Sequence, residues 1–263
     1  MEDQAVLSIR DLRTYFYDSR GNVAVKAVDG VDIDVYKGRI TALVGESGCG
    51  KSITSLSVLG LIERPGKIVS GQVLLKGRDI RKCSREEMRG VRGREISMVF
   101  QDPYAALNPV MKIGWQLSEA ILAHEKVSGE EARERSLRLL QKVGLDRPEK
   151  IMKSYTFQLS GGMCQRVMIA IAMASNPSVL IADEPTTALD LTIQAEILEE
   201  LNRLKKESGM GVLLITHDLG VVAEMADDVY VMKAGKIVEK GSVYGIFENP
   251  RHSYTKELLG SIS

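Results

Sequence analysis

Gly45-Glu46-Ser47-Gly48-Cys49-Gly50-Lys51-Ser52 fits the phosphate-binding pattern G-x-x-x-x-G-K-S. The pattern follows the apolar run Ile40 to Val44 and precedes the helix-compatible Ile53 to Leu59, so backbone N–H groups and a helix N-terminus can face phosphate oxygens. Glycines permit the tight turn, Lys51 reaches β- and γ-phosphates, and the Ser52 hydroxyl suits magnesium. A second constellation is the apolar run Val179-Leu180-Ile181-Ala182 closed by Asp183-Glu184-Pro185. Beside a phosphate loop, Asp183 is expected to hold magnesium, through water, and Glu184 to polarise the water that attacks the γ-phosphate. Taken alone, the two acids also fit a strand end followed by a helix cap.

Strands must open the protein to position that loop. Leu7-Ser8-Ile9 and Val31-Asp32-Ile33-Asp34-Val35 alternate apolar and polar residues, and Gln72 to Leu75 and Ile96 to Phe100 continue the β texture. From Asp102-Pro103 helices take over, with apolar residues at three- and four-residue spacing over Ile113 to His124 and Glu130 to Val143, the second stopping at Gly144. A helix over Gly162 to Ser175, a buried strand at Val179 to Ala182, a helix over Ile193 to Glu207 and a strand at Val212 to Thr216 restore the alternation. Val229 to Met232 and Lys236 to Glu239 flank Ala234-Gly235 as a hairpin. Strands alternating with helices imply an α/β chain with a parallel sheet covered on both faces, interrupted by a helical insertion from about 102 to 158.

The 263 residues carry 35 Lys plus Arg against 35 Asp plus Glu, so no global basic field draws the chain to nucleic acid. The longest apolar run, Val167 to Ala174, is far short of the ~18 residues that cross a bilayer. The start, Met1-Glu2-Asp3-Gln4, lacks the layout of a secretory signal, which points to a cytosolic chain. Cys49, Cys83 and Cys164 are odd in number and dispersed, as reduced thiols are.

Between the helical stretch and the acidic strand lies Leu159-Ser160-Gly161-Gly162-Met163-Cys164-Gln165-Arg166, with Gly162 21 residues before Asp183. With this element the chain resembles the ATP-binding subunits of ATP-binding-cassette (ABC) transporters. The resemblance implies a phosphate-loop ATPase core with an N-terminal antiparallel β-subdomain and a helical subdomain near 102–165, all in one domain over 1–263. It implies ATP and Mg2+ as ligands. Gly45, Glu46, Ser47, Gly48, Cys49, Gly50, Lys51 and Ser52 would bind ATP, and Ser52, Gln101 and Asp183 the metal. Glu184, His217 and Gln101 would serve catalysis. Leu159, Ser160, Gly161, Gly162 and Gln165 form the signature that meets the γ-phosphate held by the opposite subunit. Gln101, in Val99-Phe100-Gln101-Asp102-Pro103, matches the glutamine loop, and His217, in Ile215-Thr216-His217-Asp218, the switch histidine. Asp190, in Ala188-Leu189-Asp190, matches the loop that crosses the dimer interface. Phe16 aligns with the aromatic that stacks on adenine, Tyr15 and Tyr17 being its rivals.

Within the family the likeness is to the peptide and nickel importer branch. It rests on the phosphate loop, Asp102-Pro103 with Leu107-Asn108-Pro109, the signature, and the tail Asn249-Pro250-Arg251-His252-Ser253-Tyr254-Thr255. Ser253 stands where that tail usually has proline, and Cys164 where the signature usually has arginine, which removes a positive charge from that helix. The resemblance implies a second ABC ATPase subunit as partner, in a heterodimer or a homodimer, with two transmembrane permease subunits and an extracytoplasmic solute-binding protein. The chain would sit peripherally on the cytoplasmic face of the membrane. Peptide import leads and nickel or metal-chelate import is the alternative, the ending at Ser263 resembling the shorter metal-uptake members. No iron–sulfur cluster is expected, because three dispersed cysteines cannot supply four thiolates. Two rivals share the phosphate loop. A non-transport cassette ATPase of DNA repair or translation would carry two cassettes or a long coiled coil, and a small-molecule kinase would lack Leu159 to Gln165.

Overall fold

The computed structural model describes residues 4–187 and 189–260. Ala188 of the Ala188-Leu189-Asp190 match and the two ends of the 1–263 domain assignment lie outside the described residues. The chain divides into two compact units, one formed by the residues up to Met88 together with those from Gly209, the other by Arg89–Ser208. The helical segment expected over 102–165 falls within the second.

In chain order the first unit holds β1 (Ala5–Tyr17), β2 (Val23–Tyr36), β3 (Ile40–Val44), α1 (Lys51–Val58), β4 (Gly66–Leu75) and β5 (Arg78–Asp79), after which α2 (Arg85–Val91) crosses the division. The second holds β6 (Ile96–Val99), α3 (Pro103–Ala106), α4 (Ile113–Leu122), α5 (Gly129–Lys142), α6 (Pro148–Lys153), α7 (Gly161–Ala172), β7 (Val179–Asp183) and α8 (Leu191–Ser208). The chain returns to the first unit with β8 (Gly211–Ile215), α9 (Leu219–Met225), β9 (Asp228–Lys233), β10 (Lys236–Ser242), α10 (Val243–Glu248) and α11 (Ser253–Gly260).

In the first unit β1 lies between β2 and β4 in an antiparallel sheet, with Ser8 opposite Asp34 on one side and Leu74 on the other. The alternation read from the sequence is obeyed: Leu7, Ile9, Val31, Ile33 and Val35 are buried while Ser8, Arg10, Asp32, Asp34 and Tyr36 are not. Bulges in β1 and its partners bend the sheet. The second layer is parallel at its centre, β3 pairing with β8 on one side and β9 on the other. Every residue of β3 and of β8 is buried, as a parallel sheet covered on both faces requires. Strand β10 closes on β9 antiparallel through the two-residue turn Ala234-Gly235, both residues having positive φ (47° and 80°), as a type I′ hairpin needs.

In the second unit β6 and β7 run parallel, Ile96 opposite Val179 and Val99 opposite Ala182. Helix α4 buries Ile113, Leu117 and Ile121 at four-residue spacing, and α5 buries Ala132, Ser136 and Leu140 likewise. The buried Ser136 hydroxyl bonds within its own helix, to the Ala132 carbonyl at 2.7 Å, so a polar residue sits in this core without an unmet donor. Among the described residues no helix is long and apolar enough to cross a membrane.

Candidate active site

The phosphate-loop motif joins the fully buried β3 to α1, so its backbone is clamped at both ends. Gly45 and Gly50 have φ of 150° and 111°, and a Cβ on either would come within about 2.2 Å of a backbone carbonyl, of Met232 and Ala27 respectively. No other residue type fits there. The carbonyl of Cys49 accepts from the N–H of Gly235 at 2.9 Å, which ties the loop to the β9–β10 turn. The N–H groups of Ser47, Gly48 and Gly50 meet no acceptor among the described residues. Lys51, only 5% exposed, folds its ammonium back onto the carbonyls of Gly45 (2.7 Å) and Glu46 (3.0 Å). A buried cation ringed by carbonyl oxygens, beside unsatisfied N–H donors and the N-terminal end of a helix, is a receptor for an anion. Burial pushes the Cys49 thiol above its ordinary pKa despite the neighbouring Lys51 charge.

Phe16 shares a face of β1 with Thr14, whose hydroxyl meets that of Ser57 on α1 at 2.7 Å. Phe16 also packs against the segment after α1, where a Cβ on Gly66 would touch its ring at 2.8 Å. Its rivals are differently engaged: the Tyr15 hydroxyl donates to Asp29 at 2.7 Å, and Lys67 lies over the Tyr17 ring at 5.3 Å. His217 is exposed just past the end of β8, and Asp218 caps α9 by accepting from the N–H groups of Gly220 and Val221.

The remaining expected residues all lie in the second unit. Asp183 ends β7 and is 4% exposed. Glu184 follows with φ +47°, a left-handed conformation that is strained for a side chain with a β-carbon. The side chain is held there by the Thr187 hydroxyl, which donates to Oε2 at 2.8 Å. Gln101 is exposed just beyond β6, and Asp102 caps α3 through the N–H groups of Tyr104 and Ala105. Ser160 is the N-cap of α7, accepting from Met163 N–H at 3.4 Å.

The signature glycines abut the segment that carries Asp190. A Cβ on Gly161 would lie 3.5 Å from Leu189, and one on Gly162 would collide with Ile193 at 2.7 Å. Asp190 itself caps α8 through Ile193 N–H at 3.0 Å. Ser160 and Asp190 are exposed, whereas Leu159 and Gln165 are buried, so only part of the expected signature set faces solvent. Cys164 is fully buried, its thiol directed at the Thr156 carbonyl at 3.6 Å and pushed up to about 11 by burial. The missing arginine charge is therefore a matter of the interior and not of an exposed helix end.

Magnesium prefers oxygen donors, and the Ser52 hydroxyl, the Gln101 amide and the buried Asp183 carboxylate are each of that chemical kind. No cluster of three or more His, Cys, Asp or Glu able to hold a metal occurs among the described residues. Sequence reasoning missed Thr187, which braces Glu184, and Tyr254, whose hydroxyl accepts from Glu46 N–H at 3.0 Å. Tyr254 has no local signal, since its partner lies 208 residues away, whereas Thr187 lies three residues beyond Glu184 and its bond is a local one.

A glycine-rich loop between a buried parallel strand and a helix, with a second strand ending in Asp183-Glu184, defines a phosphate-loop nucleotide-binding protein. The family model described as ABC transporter matches residues 28–187. The chain belongs to that family, as an ABC transporter ATPase. It is 51% identical over 260 residues to the dipeptide transport ATP-binding protein DppD of Bacillus subtilis, covering 98% of this chain and 77% of that one. It is 50% identical over 258 residues to the oligopeptide transport ATP-binding protein OppD of the same organism, covering 98% and 72%. Among solved structures, the post-hydrolysis dimer of the ATP-binding cassette MJ0796 bound to ADP and Pi superposes with a TM-score of 0.79 at 28% identity, covering 90% of this chain and 98% of that one. The cbiO1 protein of Clostridium perfringens, part of an ABC transporter complex, gives 0.78 at 29% identity, covering 93% and 91%.

Proposed function

We propose that this chain is the ATP-hydrolysing subunit of an importer for di- and oligopeptides. The observation that carries this reading is the identity of about half the residues, over 98% of the chain, with proteins named for dipeptide and oligopeptide transport. Those names favour peptides over nickel or a metal chelate. Lys51 and the loop N–H groups bind the β- and γ-phosphates, Phe16 stacks on adenine, and Ser52, Gln101 and Asp183 hold magnesium. The ion, when bound, neutralises charge on the phosphate oxygens. Glu184 orients and polarises the attacking water as general base, and His217 hydrogen-bonds the γ-phosphate.

Each subunit holds half of each site, and two cassettes close head to tail so that Ser160 and Gly162 of one meet the ATP of the other. In support, the MJ0796 cassette is dimeric in its post-hydrolysis structure. Exposed Phe157 (72%) and Leu191 (83%), either side of the signature in sequence, suit a surface that a second cassette covers. The partner is a related ATPase chain or a second copy. Permease subunits dock on the helical segment, where a groove of about 900 Å³ is lined by Met111, Trp115, Leu122 and Met152. The chain thereby works at the cytoplasmic face of the membrane, with a solute-binding protein outside.

Deleting the gene and measuring uptake of labelled di- and oligopeptides beside labelled nickel tests the substrate. Loss of peptide uptake alone is expected, loss of nickel uptake alone would reverse the assignment, and loss of neither would remove both.

A further inference from the structure

The tail Asn249 to Thr255 marks a likeness in the sequence, yet nothing in nucleotide binding or hydrolysis as described above uses it. In the fold it is seated on the first unit. The N–H groups of Arg251 and His252 donate to the two carboxylate oxygens of Glu239 on β10, at 2.7 and 3.0 Å, and His252 Nδ1 accepts from Tyr254 N–H at 3.1 Å. Ser253 opens α11, the helical position where proline is also favoured, so serine there preserves the turn. This seating drives Tyr254 inward until it is 2% exposed, with the Lys233 ammonium 4.2 Å from its ring centre.

The Tyr254 hydroxyl accepts the N–H of Glu46, the second residue of the phosphate loop, at 3.0 Å. The carbonyl of the same Glu46 accepts from Lys51 Nζ at 3.0 Å and from Cys49 N–H at 3.3 Å. Both polar backbone groups of Glu46 are thus engaged, one by the tail and one by the lysine that meets the phosphates. We propose that Tyr254 is a positioning residue: its hydroxyl fixes the Glu46 peptide, and with it the place from which Lys51 reaches the nucleotide, so that seating of the tail sets ATP affinity. This rests on the phosphate-loop reading above.

Tyr254→Phe removes the hydroxyl and keeps the ring. In the full chain with its partner cassette, it should raise the Kd and KM for ATP about 3- to 10-fold, the range for losing one hydrogen bond. At saturating ATP kcat should fall less than twofold, and the rise in Tm produced by ATP should shrink while the nucleotide-free Tm stays near wild type. Glu239→Gln, which weakens the seat without touching the hydroxyl, should shift affinity in the same direction by less, and serves if the first variant does not fold. An ATP affinity within twofold of wild type in the folded variants, or a fall in kcat with KM unmoved, would overturn the proposal. Lys51→Ala measured alongside separates the two readings. If it abolishes binding while Tyr254→Phe does nothing, only the tail proposal fails; if it binds ATP tightly, the phosphate-loop assignment fails first.

Discussion

The hydroxyl of Thr187 donates to Oε2 of Glu184 at 2.8 Å while the Glu184 backbone sits at φ +47°. A strained backbone and a hydrogen bond from a neighbour three residues on restrict the carboxylate, which suits its proposed role as the base that aims the attacking water. Glu184→Gln keeps the shape and the strain but removes the charge. ATP should still bind, turnover should fall by ~10² or more, and the ATP-bound dimer should accumulate, as steady-state rates and size-exclusion chromatography would show. Hydrolysis near wild type would mean that another group is the base. Thr187→Val should lower kcat by a smaller factor with KM for ATP unchanged.

Lys51→Ala removes the proposed counter-cation of the phosphates from a buried position. Calorimetry should detect no ATP binding, while circular dichroism should show an intact fold, because the buried β3 and the Gly235 N–H bond to the Cys49 carbonyl remain.

Ser160 caps α7 and, in the proposed dimer, faces the opposite nucleotide, and substitution can separate the two. Its cap bond to Met163 is long at 3.4 Å, so Ser160→Ala should cost stability near the lower end of the roughly 0.5–2 kcal/mol range for caps. Ser160→Asp should preserve the cap and the Tm, yet place a negative charge where the opposite ATP's γ-phosphate arrives. ATP-dependent association and hydrolysis should then be lost in a protein that melts normally. Retained dimerisation would place the signature away from the nucleotide.

On the proposed shared-site arrangement, a lone subunit holds half-sites only. The purified chain should therefore bind ATP but hydrolyse it slowly, with specific activity rising with concentration or on addition of the partner cassette. A fully active monomer, with activity independent of concentration, would contradict the shared site and favour a kinase-like mechanism.

The three thiols should differ in reactivity. Cys49 and Cys164 are buried and burial raises the pKa of both, Cys164 to about 11, whereas Cys83 is partly exposed. Since the thiolate is the reactive form, one equivalent should react with a thiol reagent in the native protein at pH 8, mapped to Cys83 by mass spectrometry, and three after denaturation. ATP should slow any residual modification of Cys49, which lies within the phosphate loop.

Much of the molecule was legible locally. Helices over α4, α5, α7 and α8 and the strands β3, β7, β8 and β9 follow from apolar period and length, and their observed bounds lie within a few residues of the expected ones. The phosphate loop was equally legible, because a tight turn lined by N–H groups demands glycine at fixed offsets, and that demand is written in neighbouring residues. The full lengths of β1 and β2, with their bulges, were not, because a bulge breaks the period-2 alternation by which strands are read.

What tertiary structure alone decided is which polar groups meet. Tyr254 stands 208 residues from Glu46, and no pattern in either segment specifies that a tail hydroxyl will accept a loop N–H. The burial of Gln165 and Cys164 and the contact of Gly162 with Ile193 depend likewise on how α7 packs against its neighbours. Sequence by itself determined the chemistry carried at each position, because residue type and local spacing set what a backbone turn or a side chain can bind. Folding decided the geometry, because hydrogen bonds and close packing act over a few ångströms of space whatever the separation along the chain.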